Sequence, residues 1–102
     1  PLRWFRPPWG ASNVFQGWAA KRLGLQVVLW TANARDWSFS TGKAGIIRRL
    51  QSRVKPNTII VLHDAGGDPG APGHMLEALP EAIDILRASG YEFVSLREIT
   101  GG

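Results

Sequence analysis

Short apolar runs alternate with helical patterns along this chain. Residues 25–30 and 58–62 are near-continuous apolar stretches rich in β-branched residues, which predicts strands buried on both faces. Elsewhere apolar positions recur at helical spacing, and Asn13 is a predicted N-cap for the first such stretch. The pattern predicts strands at residues 2–6, 25–30, 58–62 and 91–96. It predicts helices at 14–23, at 43–53 and, for the third, from His74 or Pro80 to Ala88.

Polar and glycine-rich segments separate these elements. Residues 32–42 are polar and predict a long loop, and residues 65–73 contain four glycines and two prolines, which predicts another loop. The resulting order, β-α-β-α-β-α-β, indicates an α/β fold in which helices between consecutive strands require parallel pairing and right-handed crossovers. With 102 residues and no linker or repeat, residues 1–102 are expected to form a single domain.

Composition and charge narrow the classes of function. The net charge of +4 comes from scattered basic residues, apart from a group at the end of the second predicted helix, where the helix dipole favours cations. This favours a solvated helix end over a nucleic-acid surface, although an anionic polymer such as cell-wall material remains a possible partner. Without cysteine the chain has no disulfide and no thiolate zinc site. No apolar run approaches the roughly 20 residues that span a bilayer.

The segment Arg6-Pro7-Pro8-Trp9-Gly10 places a guanidinium at a strand end and then fixes the backbone. The two prolines lack N–H groups and restrict φ, so the backbone N–H of Trp9 has a preset direction. A preset N–H beside an arginine is a reasonable donor to an oxyanion. The alternative is a rigid strand-to-helix turn with a surface arginine and a core tryptophan, and for this segment alone it is the better reading.

A second group of candidate residues follows the strand at 25–30. Trp30 ends this strand, and Asp36 and Trp37 lie in the loop beyond it. A tryptophan ring with a nearby carboxylate is a common arrangement for binding a sugar ring. Equally, Trp37 could cover the edge of the core while Asp36 caps a backbone or pairs with Arg35.

His63 follows the strand at 58–62 and should emerge at its carboxyl end. Histidine titrates near neutral pH, and a neighbouring carboxylate favours its protonated, acid form. Asp36 is a better partner than Asp64, because adjacent strand residues point to opposite faces. A lone histidine at a strand end is more often structural than catalytic. His74 has a weaker case, and two histidines without a third ligand do not make a metal site.

Taken together, the Arg6–Gly10 segment, Trp30 with Asp36-Trp37, and Leu62-His63-Asp64 resemble the polysaccharide deacetylases, the NodB-homology family or carbohydrate esterase family 4. The resemblance covers essentially the whole chain, including residues 79–83 and 90–96. It implies half of a deformed (β/α) barrel. It also implies a hydrolase of carbohydrate metabolism that removes acetyl groups from N-acetylglucosamine polymers, such as chitin or peptidoglycan, or from acetyl xylan, with a divalent metal such as zinc.

The resemblance also assigns roles to individual residues. His63 matches the general acid and Asp36 the carboxylate that tunes it. Arg6 matches the arginine that orients an aspartate base, and the backbone N–H of Trp9 matches the amide that holds the oxyanion. Three residues are implied to bind substrate: Trp30 and Trp37 in the groove, and Val61 where the family has a leucine in the acetyl pocket.

Two of the family's motifs, which supply the base and the metal ligands, have no match in this sequence and are expected upstream of residue 1. The chain is therefore predicted to hold no metal and to be nearly inactive alone. The alternatives are a non-catalytic carbohydrate-binding half-barrel and a structural α/β module. The expected partners are an acetylated polysaccharide or oligosaccharide and either a second copy or a missing N-terminal half, with no nucleic acid and no membrane span. An extracellular or cell-envelope location is implied by the resemblance alone.

Overall fold

The computed structural model describes residues 2–10 and 13–100, with the side chains of Trp9 and Thr100 outside this description. The chain divides into two compact units, residues 1–30 and residues 31–102. Each unit has its own small parallel sheet of two strands.

The first unit contains one helix between two short parallel strands. Asn13 caps the helix because its side-chain oxygen accepts a hydrogen bond from the Gln16 backbone N–H at 2.9 Å. Beyond the helix, Gly24 adopts a φ of 72°, which turns the chain back toward the second strand. The elements are β1 (Trp4–Phe5), a 3-10 turn (Pro8–Gly10), α1 (Val14–Arg22) and β2 (Gln26–Val27), with Trp4 opposite Gln26 and Phe5 opposite Val27.

The second unit is built from two long helices and a second two-stranded parallel sheet. Its elements are β3 (Ala32–Asn33), a 3-10 turn (Phe39–Thr41), α2 (Gly42–Arg53), β4 (Ile60–Val61), α3 (Ala71–Ala88) and α4 (Leu96–Thr100). In the sheet, Ala32 lies opposite Ile60 and Asn33 opposite Val61. The Tyr91 hydroxyl donates to the Val54 carbonyl at 3.3 Å, which ties the segment after α3 to the end of α2.

The core of the second unit lies where α2 and α3 pack together beside β3. Small residues on α3 let the two helices approach closely, and larger side chains from α2 fill the space between them. The buried cluster consists of Ala34, Ile46, Leu50, Met75, Ala78 and Ala82. None of the described helices is long and apolar enough to span a membrane.

The structure confirms a mixed α/β chain with parallel strand pairs, and the half-barrel layout stays a prediction. The strand predicted at residues 91–96 is wrong, because residues 91–95 have no regular structure and Leu96 begins α4. A strand needs a hydrogen-bonded neighbour, and no described strand pairs with this segment. The described order therefore ends on a helix.

Three further expectations need correction. The predicted loop at residues 32–42 contains β3 and the 3-10 turn, because Ala32 and Asn33 pair with β4. The third helix begins at Ala71, earlier than His74 or Pro80, since Gly70 takes the positive φ that precedes it and Pro72 fits the first turn. The segment at residues 25–30 is not buried on both faces, because only Val28 within it is buried.

Candidate functional site

Asp36 and His63 come together at the carboxyl edge of the β3–β4 sheet. Asp36 lies three residues beyond the end of β3, and His63 lies two residues beyond the end of β4. Because parallel strands leave a sheet at the same edge, the two segments emerge side by side. The sequence-based prediction that these residues are within hydrogen-bond reach is confirmed.

Both oxygens of the Asp36 carboxylate are engaged by His63. Oδ1 lies 2.9 Å from the ring Nδ1, and Oδ2 accepts a short hydrogen bond from the His63 backbone N–H. The Asp36 side chain is fully buried, whereas 43% of the His63 side chain is exposed. The expected alternative partner for Asp36, Arg35, is therefore not the one that the structure shows.

This arrangement fixes the chemistry of the imidazole. An ionised carboxylate can only accept hydrogen bonds, so beside an ionised Asp36 the Nδ1 atom carries a proton and donates a hydrogen bond to Oδ1. In the part of the chain that the structure describes, no hydrogen bond engages Nε2. The pair can therefore present Nε2 to a bound molecule while Asp36 holds the ring, which is the arrangement of an oriented general acid or base.

Trp37 follows Asp36 directly and is partly exposed. The Arg35 guanidinium carbon lies 5.1 Å from the centre of its ring, which is a cation–π contact. Arg35 has a positive φ of 53°, and its backbone N–H donates to the Asn33 side chain at 2.8 Å. The indole therefore has a defined setting at the same edge as His63, as a sugar-contacting residue would need.

A basic group lies beside this segment. Arg49 donates through Nε to the Asn33 carbonyl at 3.2 Å. Partial desolvation lowers the pKa of the Arg49 guanidinium below its ordinary value, and repulsion from Arg53 and Arg35 lowers it further. These cations contribute positive potential near the loop that carries Asp36.

The first unit holds three of the predicted residues, Arg6, Trp9 and Trp30. Arg6 donates through Nε to the Val28 carbonyl at 3.1 Å, and its guanidinium carbon lies 5.9 Å from the Trp30 ring centre. The backbone of Trp9 lies within the 3-10 turn, and Gly10 packs closely against the Trp30 ring. The roles of Arg6, Trp9 and Trp30 in a site with Asp36 and His63 remain predictions.

The remaining predicted residues have structural surroundings but no tested role. Val61 is buried in β4, so its place in an acetyl pocket stays a prediction. His74 lies in α3 rather than in a loop, and its ring packs against Phe39 at a tilt of 36°, with the ring centroids 4.5 Å apart. Sequence reasoning missed Asp68, which contacts the loop of Asp36. The surrounding Gly-Gly-Asp-Pro-Gly run signals a constrained loop but not the segment that it contacts.

A metal ion is usually held by three or four protein ligands that lie close together. Among residues 2–10 and 13–100, no set of three or more His, Cys, Asp or Glu side chains is placed to hold such an ion. Asp36 and His63 are two potential ligands, but they are already bonded to each other. The described residues therefore do not fit a metal site of the usual three or four protein ligands.

Comparison with known proteins finds deacetylases of several carbohydrates among the similar sequences. No family model matches the sequence. A curated peptidoglycan-N-acetylglucosamine deacetylase of Bacillus cereus is 34% identical over 97 residues, which are 93% of this chain and 44% of the relative. The chain thus spans less than half the length of this relative.

Two solved structures extend the comparison. The crystal structure of the Bc1960 peptidoglycan N-acetylglucosamine deacetylase matches with a TM-score of 0.84 over 95% of this chain and 44% of its own, and its 23% identity supports the fold alone. A family 4 carbohydrate esterase from Streptomyces lividans, in complex with acetate, is 26% identical with a TM-score of 0.73, over 91% of this chain and 45% of its own.

Proposed function

Because this chain is a relative of the polysaccharide deacetylases of carbohydrate esterase family 4, we propose that it forms part of a carbohydrate deacetylase site in which His63 is the general acid. The observation that carries the proposal is the hydrogen bond between a buried Asp36 carboxylate and Nδ1 of a half-exposed His63. That geometry supplies an oriented imidazole with an accessible second nitrogen.

The proton transfer follows from this geometry. When both ring nitrogens are protonated, Nε2 gives its proton to the sugar nitrogen or oxygen as the bond between that atom and the acetyl carbon breaks. Nδ1–H stays on the ring and remains bonded to Asp36, which stabilises the imidazolium before transfer. Such a positioned acid contributes about 10²- to 10⁴-fold to a rate.

The other predicted residues complete the proposal. Arg6 orients a base, and the backbone N–H of Trp9 donates to the oxyanion of the tetrahedral intermediate. Trp30 and Trp37 pack against sugar rings, and Val61 lines the acetyl pocket. We propose an acetylated polysaccharide or oligosaccharide as substrate, either an N-acetylglucosamine polymer such as peptidoglycan or chitin, or acetyl xylan. An extracellular or cell-envelope location suits such substrates.

A divalent metal is part of the chemistry that the family resemblance implies, where it would activate the attacking water. The described residues do not fit such a site, so no step is assigned to a metal here. We propose that residues 1–102 are one partial domain and that this chain alone has little hydrolytic activity.

A second function is a carbohydrate-binding half-barrel that does no chemistry. The two functions differ in what His63 does, because a binding module would use the ring as a contact and not as a proton donor.

A chimera tests the proposal. The segment of the Bacillus cereus relative that aligns with this chain would be replaced by residues 2–100, and acetate release from N-acetylglucosamine oligomers would be measured. We expect release from the chimera, and we expect His63→Ala to lower kcat by about 10²- to 10⁴-fold with a smaller change in KM. Asp84→Ala, on an exposed position of α3, is the control and should leave kcat unchanged.

A folded chimera whose His63→Ala variant releases acetate as fast as its parent contradicts the assignment of the acid. A folded chimera that binds the oligomer but releases no acetate favours the binding module instead.

A further inference from the structure

We propose that Asp68 is a positioning residue that holds the loop of Asp36 in place and thereby fixes the orientation of His63. The functional meaning of this inference rests on the proposed role of His63 as an acid. The structural claim can be tested without measuring activity.

Asp68 makes two reciprocal hydrogen bonds with the segment that follows Asp36. Its backbone N–H donates to the Trp37 carbonyl at 2.8 Å, and its side-chain Oδ2 accepts from the Phe39 backbone N–H at 2.9 Å. One residue thus bonds both sides of the turn that begins at Asp36. The loop after β4 is attached in this way to the loop after β3.

The glycines on either side of Asp68 permit this close approach. A Cβ on Gly67 would lie 2.6 Å from the Trp37 carbonyl oxygen, so only glycine lets the two backbones meet there. A Cβ on Gly70 would lie 3.1 Å from the Phe39 ring. On the Phe39 side, the contact is supported by α3, because the His74 ring packs against the Phe39 ring.

These contacts bear directly on the Asp36–His63 pair. Asp36 immediately precedes Trp37, and its carboxylate must face both the backbone N–H and the ring of His63. Removing the Asp68 carboxylate leaves the Phe39 N–H without its acceptor and frees the turn to move. The Nδ1 contact then loosens, and the ring no longer has one enforced tautomer.

A purely structural role is the competing explanation, because the Asp68 carbonyl also accepts a hydrogen bond from the Ala71 N–H at the start of α3. Such a role would change stability without changing the His63 tautomer. The tautomer of His63 separates the two explanations, and Asp68→Asn should keep the parent tautomer because its side-chain oxygen can still accept from the Phe39 N–H.

The experiment measures the tautomer of His63 in the ¹⁵N-labelled chain by long-range ¹H–¹⁵N spectra, at a pH where the imidazole is neutral. In the parent chain we expect the proton mainly on Nδ1. In Asp68→Ala the ratio of Nδ1–H to Nε2–H should fall by roughly fivefold, the factor that a typical net hydrogen bond represents. Asp68→Asn should restore the parent ratio, and Asp84→Asn is the control for loss of a surface charge.

A folded Asp68→Ala chain with the parent ratio overturns the proposal, whatever its stability. If Asp68→Ala does not fold, Gly67→Ala takes its place, with Gly66→Ala as the matched control. Both glycines have positive φ, but a Cβ on Gly66 meets nothing within 4 Å. The same fall in the ratio is expected for Gly67→Ala alone, and an unchanged ratio in that variant overturns the proposal. Inactivity of the chimera described above would contradict the function of His63 but not this tautomer shift.

Discussion

At the scale of single residues, the cost of burying a charge governs the site. An ionised carboxylate loses most of its hydration when buried, so Asp36 must be compensated by hydrogen bonds from within the chain. His63 provides two of them, one from its backbone and one from its ring. The same two bonds stabilise the buried charge and aim the imidazole, so the stability of this loop and the orientation of the proposed acid depend on each other.

The contact between Gly10 and Trp30 gives a prediction at this scale. Gly10 and Gly24 have similar positive φ values, 69° and 72°, so an alanine pays a similar backbone cost of about 1 kcal/mol at either position. Only at Gly10 would the new Cβ collide, 2.6 Å from the Trp30 ring. We expect Gly10→Ala to lower the free energy of unfolding by about 1–3 kcal/mol more than Gly24→Ala, measured by urea titration. Equal losses of unfolding free energy in the two variants would show that the Trp30 side chain moves away from the new Cβ at no cost.

At the scale of elements, local and non-local signals differ in how well the sequence predicts them. The helices α1 and α2 follow from apolar spacing, the Asn13 cap and the glycine beyond α1, which are all local features. The segment at residues 91–95 has strand-forming residues, but a strand also requires a neighbour, which no local pattern reveals. The predicted start of α3 is too late, because the Gly- and Pro-rich sequence before it indicates a loop even though Pro72 is favourable in a first helical turn.

The same distinction applies to the site. Asp36 and His63 could be paired from the sequence because both follow predicted parallel strands, and such strands end at one edge. Asp68 could not, because its partner Phe39 lies 29 positions away and the contact depends on how two loops meet. Helical spacing likewise identifies the apolar stripe of α1 but not what covers that stripe.

The Asn13 cap provides a prediction for an element. Asn13→Ala removes the acceptor for the Gln16 N–H at the start of α1, which should cost about 1 kcal/mol. Asn13→Ser keeps a capping oxygen and should cost much less. Far-UV circular dichroism during urea unfolding gives both values, and a cost for serine as large as that for alanine would exclude the cap as the source.

At the scale of the whole molecule, large apolar side chains remain exposed on the first unit. Val14, Phe15, Trp18 and Leu23, all on or next to α1, are among them. Contiguous exposed apolar patches of more than a few hundred Å² are unusual on soluble monomers and mark interaction sites. Unpaired strand edges add to this tendency.

We therefore predict that the chain self-associates, most simply as a two-fold dimer through the α1 face. Trp18→Glu should shift sedimentation profiles toward the monomer across a wide concentration range in the analytical ultracentrifuge. Leu76→Glu is the matched control, because Leu76 and Trp18 are equally exposed, at 62%. A folded parent chain that stays monomeric at high concentration contradicts the prediction, and binding of an added N-terminal half of a relative would identify that half as the occupant.

Pro80 lies inside α3, and it affects how readily different parts of this helix open to solvent. Proline has no amide hydrogen, so the carbonyl four residues earlier, that of the exposed Leu76, lacks its usual helical donor. Pro80 thereby divides the helix into an early part, which packs Met75 and Ala78 into the core, and a late part, which packs Ala82 and Leu86 there. These parts can exchange their amide hydrogens with solvent at different rates. A sugar bound near His63 would slow exchange in the early part, while the late part would keep the rate of the free protein.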